Sequence, residues 1–162
     1  MKLSVPLLLF VLVIFTVPAV AQRSLDNGAK VDGVALDASY KTIVAKFGKP
    51  LTEKTNKMDE CIGDRTRSVN YPGLHFDLVE STKVFKVFGF EVTSSKYLVS
   101  GIRVGAAKAE VEKAFGKRKR AIEKTKTGER WFYNMTDESP GSTTFDFKNG
   151  KLVKIIASYM MC

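Results

Sequence analysis

Apolar and polar positions along this chain follow three different patterns. From Leu3 to Val17 the run is apolar apart from Ser4 and Thr16. Two later stretches show helical spacing. Tyr40, Ile43, Val44 and Phe47 fall at i, i+3, i+4 and i+7, and Ala107, Val111, Ala114 and Phe115 form a second stripe, so each stretch predicts a short amphipathic helix. Asp37 is placed to cap the first helix and Gly105, less well, the second. Gly48 and Gly116 supply the left-handed stops. The third pattern is alternation. Phe145 to Lys148 and Lys151 to Ile156 flank Asn149-Gly150, a pair that accepts the positive φ values of a tight hairpin turn. Leu74 to Val92 predicts a second hairpin turning near Glu80-Ser81-Thr82, and Val69 to Tyr71 and Arg130 to Tyr133 predict one further strand each.

These elements recur in order. Gly33-Val34 matches Gly101-Ile102, Ile43 matches Val111, and Phe47-Gly48-Lys49 matches Phe115-Gly116-Lys117, all at an offset of 68. Phe76-Asp77-Leu78 then answers Phe145-Asp146-Phe147, one residue out of step. Self-similarity at this length predicts a duplicated unit. The expected fold class is α+β: a tandem repeat of helix plus antiparallel β-hairpin modules, with helices packed on one face of an antiparallel sheet. The expected boundaries are 1–21 for a leader, 22–32 for a lead-in, 33–96 for a first module and 97–162 for a second.

Lys2, the apolar run and Ala19-Val20-Ala21 read as a secretory signal cut after Ala21. The run is shorter than the ~20 apolar residues that a spanning helix needs. A periplasmic or extracellular location is expected. Loss of Lys2 with the leader lowers the formal net charge from +9 to +8. Export also permits Cys61 and Cys162 to pair; a bridge within the chain is expected, with a free or intermolecular Cys162 as the competing reading. A single His and two Cys argue against zinc or triad chemistry, and no cofactor or metal is expected.

The order Gly-hydrophobic-x-hydrophobic-x-Ala, amphipathic helix, Phe-Gly-Lys and strand hairpin resembles the SmpA/OmlA (BamE-like) module of bacterial outer-membrane assembly lipoproteins. As a tandem pair it is similar to the β-lactamase-inhibitor-protein (BLIP-like) fold. The resemblance runs from Gly33 to about Tyr159. It implies non-catalytic envelope binding proteins and, for the tandem form, a concave sheet face that grips a partner. The chain has no lipid-attachment Cys near the predicted cut, so membrane anchoring is not implied.

Lysine is almost never fully buried unpaired, so the Lys-bearing face of each strand should look away from the helices. That reasoning places Val84, Lys86, Phe88, Phe90, Leu152, Lys154 and Ile156 on an open, protein-binding face. Trp131 and Tyr133 are added to it on the expectation that Phe132 points inward, with core packing of Trp131 as the alternative. His75 and Asp77 should share the open face, yet no second His or nearby Cys completes a metal or acid–base site. Lys117, Arg118, Lys119 and Arg120 form the densest positive run, suited to an anionic surface. The expected function is therefore an exported, non-enzymatic protein that holds another protein, inhibitor-like or otherwise. The alternative is an envelope assembly factor that contacts anionic lipid, lipopolysaccharide or a membrane complex. Export argues against nucleic acid, and the sequence fixes neither partner nor oligomeric state.

Overall fold

The computed structural model describes residues 28–58, 63–116, 120–134 and 141–159. Two short strands, β1 (Lys30–Val31) and β2 (Val34–Ala35), precede α1 (Tyr40–Phe47). Then come β3 (Thr52–Met58), β4 (Arg65–Tyr71), β5 (Leu74–Ser81) and β6 (Val84–Val92). After α2 (Lys108–Phe115) follow β7 (Arg120–Thr125), β8 (Gly128–Asn134), β9 (Gly141–Lys148) and β10 (Lys151–Tyr159). Strands β3 to β10 make one eight-stranded sheet in the order β3-β4-β5-β6-β10-β9-β8-β7, antiparallel throughout.

This corrects the expected fold class. Among the described residues the chain is mostly antiparallel sheet with two eight-residue helices, not a tandem array of helix-plus-hairpin modules. Strands β3 and β7 were not foreseen. Both are sheet edges, and Thr-Glu-Lys-Thr-Asn-Lys-Met and Arg-Ala-Ile-Glu-Lys-Thr carry little of the period-2 signal that a half-buried strand shows. Charged edges of this kind discourage pairing with another chain.

The strand order reads the same from either edge, and matching contacts recur in the two halves. The backbone ahead of α1 pairs with β6 through Asp37 N–H to Val87 O and Val87 N–H to Ala38 O, both 2.8 Å. Ahead of α2, Gly105 N–H reaches Leu152 O at 2.7 Å and Leu152 N–H reaches Ala106 O at 2.9 Å. Asp32-Gly33 and Ser100-Gly101 both have positive φ, and these turns interlock. Lys30 N–H donates to Ser100 Oγ and Leu98 N–H to Asp32 Oδ1, each at 3.1 Å.

Both helices lie on one face, where the core is. Ile43 and Val111 are fully buried. The Phe47 ring meets Tyr71 and Phe76 at 5.6 Å, and Phe115 meets Phe145 at 5.4 Å and Tyr133 at 6.0 Å. Capping differs from the expectation. Ser39, not Asp37, caps α1, its Oγ accepting from Thr42 N–H at 3.2 Å. Asp37 has φ 65°, and its carboxylate accepts from the Tyr159 hydroxyl at 2.5 Å. Burial, with help from that carboxylate, pushes the Tyr159 phenol up to about 12. Ala107 begins α2, with the Glu110 carboxylate accepting its N–H at 2.6 Å.

The carbonyls of the two stop glycines are satisfied alike: Tyr71 OH donates to Gly48 O at 2.9 Å and Tyr133 OH to Gly116 O at 3.0 Å. A hydrogen bond of this kind contributes about 0.5–1.5 kcal/mol net. Tyr71→Phe and Tyr133→Phe are each expected to lower unfolding free energy in urea by that amount. Losses below about 0.3 kcal/mol in both would mean that these carbonyls are satisfied otherwise.

Candidate functional site

The face opposite the helices is the candidate site, and two β-bulges decide which side chains reach it. Pairing of β5 with β6 steps from Asp77–Gly89 to Leu78–Val87, leaving Phe88 as an extra residue. Pairing of β9 with β10 steps from Asp146–Lys154 to Phe147–Leu152, leaving Val153 extra. Each bulge shifts the alternation by one residue. Phe90 and Leu152 therefore belong to the core, 2% and 1% exposed, and their placement on the open face is corrected. Trp131 and Tyr133 are likewise core residues, at 3% and 4%. They stand opposite Phe145 and Thr143 on β9, and Trp131 packs on Phe147 with ring centroids 4.5 Å apart. Phe132 points outward in their place. Of the expected residues, Val84, Lys86, Lys154 and Ile156 remain on the open face, while Phe88, at the bulge, lines the depression described below with its ring 6.1 Å from that of Tyr159.

Cross-strand register builds this face row by row. His75, Glu91, Ile156, Thr144 and Phe132 stand side by side across β5, β6, β10, β9 and β8. The next row is Asp77, Gly89, Ser158 and Ser142. A shallow depression of about 590 Å³ opens there, with Gly89 in its floor and His75, Asp77, Phe88, Glu91 and Ile156 among its walls. A Cβ on Gly89 would stand 3.1 Å from Ser158 Cβ and 3.2 Å from Ala157 O. Glycine thus lets β6 and β10 approach closely and leaves the floor clear.

Charges on the face are paired across strands. Lys154 Nζ lies 3.0 Å from Glu91 Oε1. Arg130 donates twice to Asp146, Nε to Oδ1 at 2.6 Å and Nη2 to Oδ2 at 2.9 Å. The bidentate partner raises the Arg130 pKa. His75 and Asp77 do share this face. His75 Nε2 is 2.9 Å from Asp77 Oδ1 and Nδ1 is 2.7 Å from Asn70 Oδ1. The hydrogen bond to Asp77 outweighs burial and raises the imidazole pKa. Among the described residues, no cluster of His, Cys, Asp and Glu is arranged to hold a metal ion.

Two parts of the expected site cannot be placed. Lys117, Arg118 and Lys119 lie outside the described residues, and only the backbone of Arg120 is described, opening β7. Cys61 and Cys162 also lie outside them.

No family model and no curated protein matches the chain. Solved structures similar to it include an extracellular protein containing an SCP domain from Bacillus anthracis, at 14% identity and TM-score 0.47. Another is a cysteine-rich secretory protein from Staphylococcus aureus, at 12% identity and TM-score 0.46. In both comparisons 76% of this chain is covered but only 44% of the other, so the chain spans less than half the length of these proteins. The absence of any matching family model, together with the continuous eight-stranded sheet found in place of helix-plus-hairpin modules, corrects the SmpA/OmlA and BLIP-like resemblance read from the sequence.

Proposed function

We propose that the chain is an exported, non-catalytic binding protein that holds a protein partner against the open face of its sheet. The leader up to Ala21 supports export, with the mature chain starting at Gln22. The observation that carries the binding reading is the composition of the open face. Phe88, Phe132 and Ile156 stand half-exposed among cross-strand ion pairs and hydroxyls. Large apolar side chains supply desolvation energy at the centre of an interface, and satisfied polar groups supply its rim. Because these cations already have carboxylate partners, the face is suited to a mixed protein surface and less to a sheet of phosphates.

The test compares two materials at about 0.05 M and about 0.5 M salt, where screening lengths differ several-fold. Mature chain is incubated with the exported proteins of its source, and separately with phosphatidylglycerol vesicles. A complex that survives high salt and is lost when Phe88 and Ile156 are replaced supports the proposal. Salt-sensitive vesicle binding that those replacements leave intact would favour the envelope factor directed at anionic surfaces.

A further inference from the structure

His75 is the only histidine in the chain, and the structure gives both of its ring nitrogens an oxygen to face. Nε2 meets Asp77 Oδ1 at 2.9 Å and Nδ1 meets Asn70 Oδ1 at 2.7 Å. The neighbouring hydrogen bonds agree with these orientations. Asn70 Nδ2 donates to Thr52 Oγ1 at 3.1 Å, which turns Oδ1 towards the imidazole, and Ser68 Oγ donates to Asp77 Oδ1 at 3.2 Å. A neutral imidazole has one N–H and one lone pair, so one of these two contacts would set a lone pair against an oxygen. Only the imidazolium donates to both. The chain Thr52–Asn70–His75–Asp77–Ser68 is complete in one protonation state, and it spans β3, β4 and β5 beside the depression.

We propose that His75 is a pH-operated latch on the open face, tying Asn70 of β4 to Asp77 of β5 when protonated and releasing one of them when neutral. The inference rests on the binding reading of this face for its use, and on the hydrogen-bond geometry for its existence. The groups that face His75 are Asn70 from β4, Asp77 on its own strand, and Glu91 directly opposite on β6, which is itself paired with Lys154 of β10. With the latch closed, the imidazolium offsets Asp77. With it open, Asp77 and Glu91 leave the depression more acidic, so a partner that inserts a basic side chain binds better above the His75 midpoint.

The experiment is an NMR titration of the full mature chain from about pH 5 to 8, the range in which histidine alone among unperturbed side chains changes charge. The imidazole signals and the backbone amides of Asp77, Gly89 and Ser158 are followed together. One midpoint above the ordinary 6.5, shared by the imidazole and those amides, is expected. In Asp77→Asn it should move down by about one pH unit, the effect of removing a carboxylate in contact. In His75→Gln the amide titration should vanish while the spectrum stays folded. A wild-type midpoint at or below 6.5, or one that Asp77→Asn leaves in place, would overturn the latch. Absence of any partner for the face would instead defeat the binding reading and leave these midpoints as they are.

Discussion

Phe145→Ala is expected to lower the unfolding free energy by about 3–5 kcal/mol, the range for truncating a fully buried phenylalanine. Phe145 has no exposed surface. It stacks on Phe115 of α2 at 5.4 Å and meets Tyr133 edge-on at 5.5 Å, and its strand neighbours are Trp131 and Ile155. Removal of the ring leaves a void beneath α2 that two rigid aromatic neighbours cannot refill. A domain of this size is stable by about 5–15 kcal/mol in all, so the variant should lie close to its folding threshold at 37 °C. Phe132→Ala is the matched control. Phe132 is one residue from Trp131 but on the open face, half-buried, and its truncation should cost no more than about 1.5 kcal/mol, below the cost of fully burying such a side chain. Urea unfolding of the two variants checks the assignment of faces. Equal losses would mean that the open face is covered as the core is.

The second large effect is on binding. Phe88→Ala with Ile156→Ala is expected to weaken the complex by 100-fold or more. A single interface hot spot contributes about 2 kcal/mol or above, roughly thirtyfold each, although such terms do not add strictly. Phe88 owes its place to the bulge opposite Asp77, and Ile156 stands across from Glu91, so the two residues flank the depression around Gly89. Both are half-buried in the free chain, and the double variant should remain folded. A complex that keeps its affinity to within threefold would remove the open face as the docking surface.

The helices and the hairpin turns were legible in the sequence, the single eight-stranded sheet was not, and each failure has its own physical source. Ile43, Phe47, Val111 and Phe115 declared the helical stripes because a helix with one buried face must repeat near 3.6 residues. Asn149-Gly150 declared a tight turn, and both residues do have positive φ. The face assignment failed at Phe90 and Leu152 because each follows or flanks a single inserted residue, Phe88 or Val153. Nothing in Val-Phe-Gly-Phe or Leu-Val-Lys marks which residue the ladder will skip. Gly89 was the available signal, since glycine within a strand often marks a bulge or a close backbone approach. Trp131 and Tyr133 were misplaced for a different reason. Three consecutive aromatics leave the alternation ambiguous, and only the register against β9, with Trp131 opposite Phe145 and Tyr133 opposite Thr143, resolves it. The edge strands β3 and β7 were invisible because solvent on both sides removes the need for alternation. His75 and Asp77 were placed correctly, but Asn70 and Ser68 became part of their network only through the register of β4 on β5.

The most direct test of the binding face is site-specific photo-crosslinking in the organism that exports the chain. A photoreactive residue is placed at Ile156 on the open face and, in a separate variant, at Lys41, which is exposed on α1 across the sheet. The Ile156 variant should form a discrete crosslinked adduct with another protein, and the Lys41 variant should give none. An adduct from Lys41 with none from Ile156 would contradict the proposal, because the partner would then sit on the helical side.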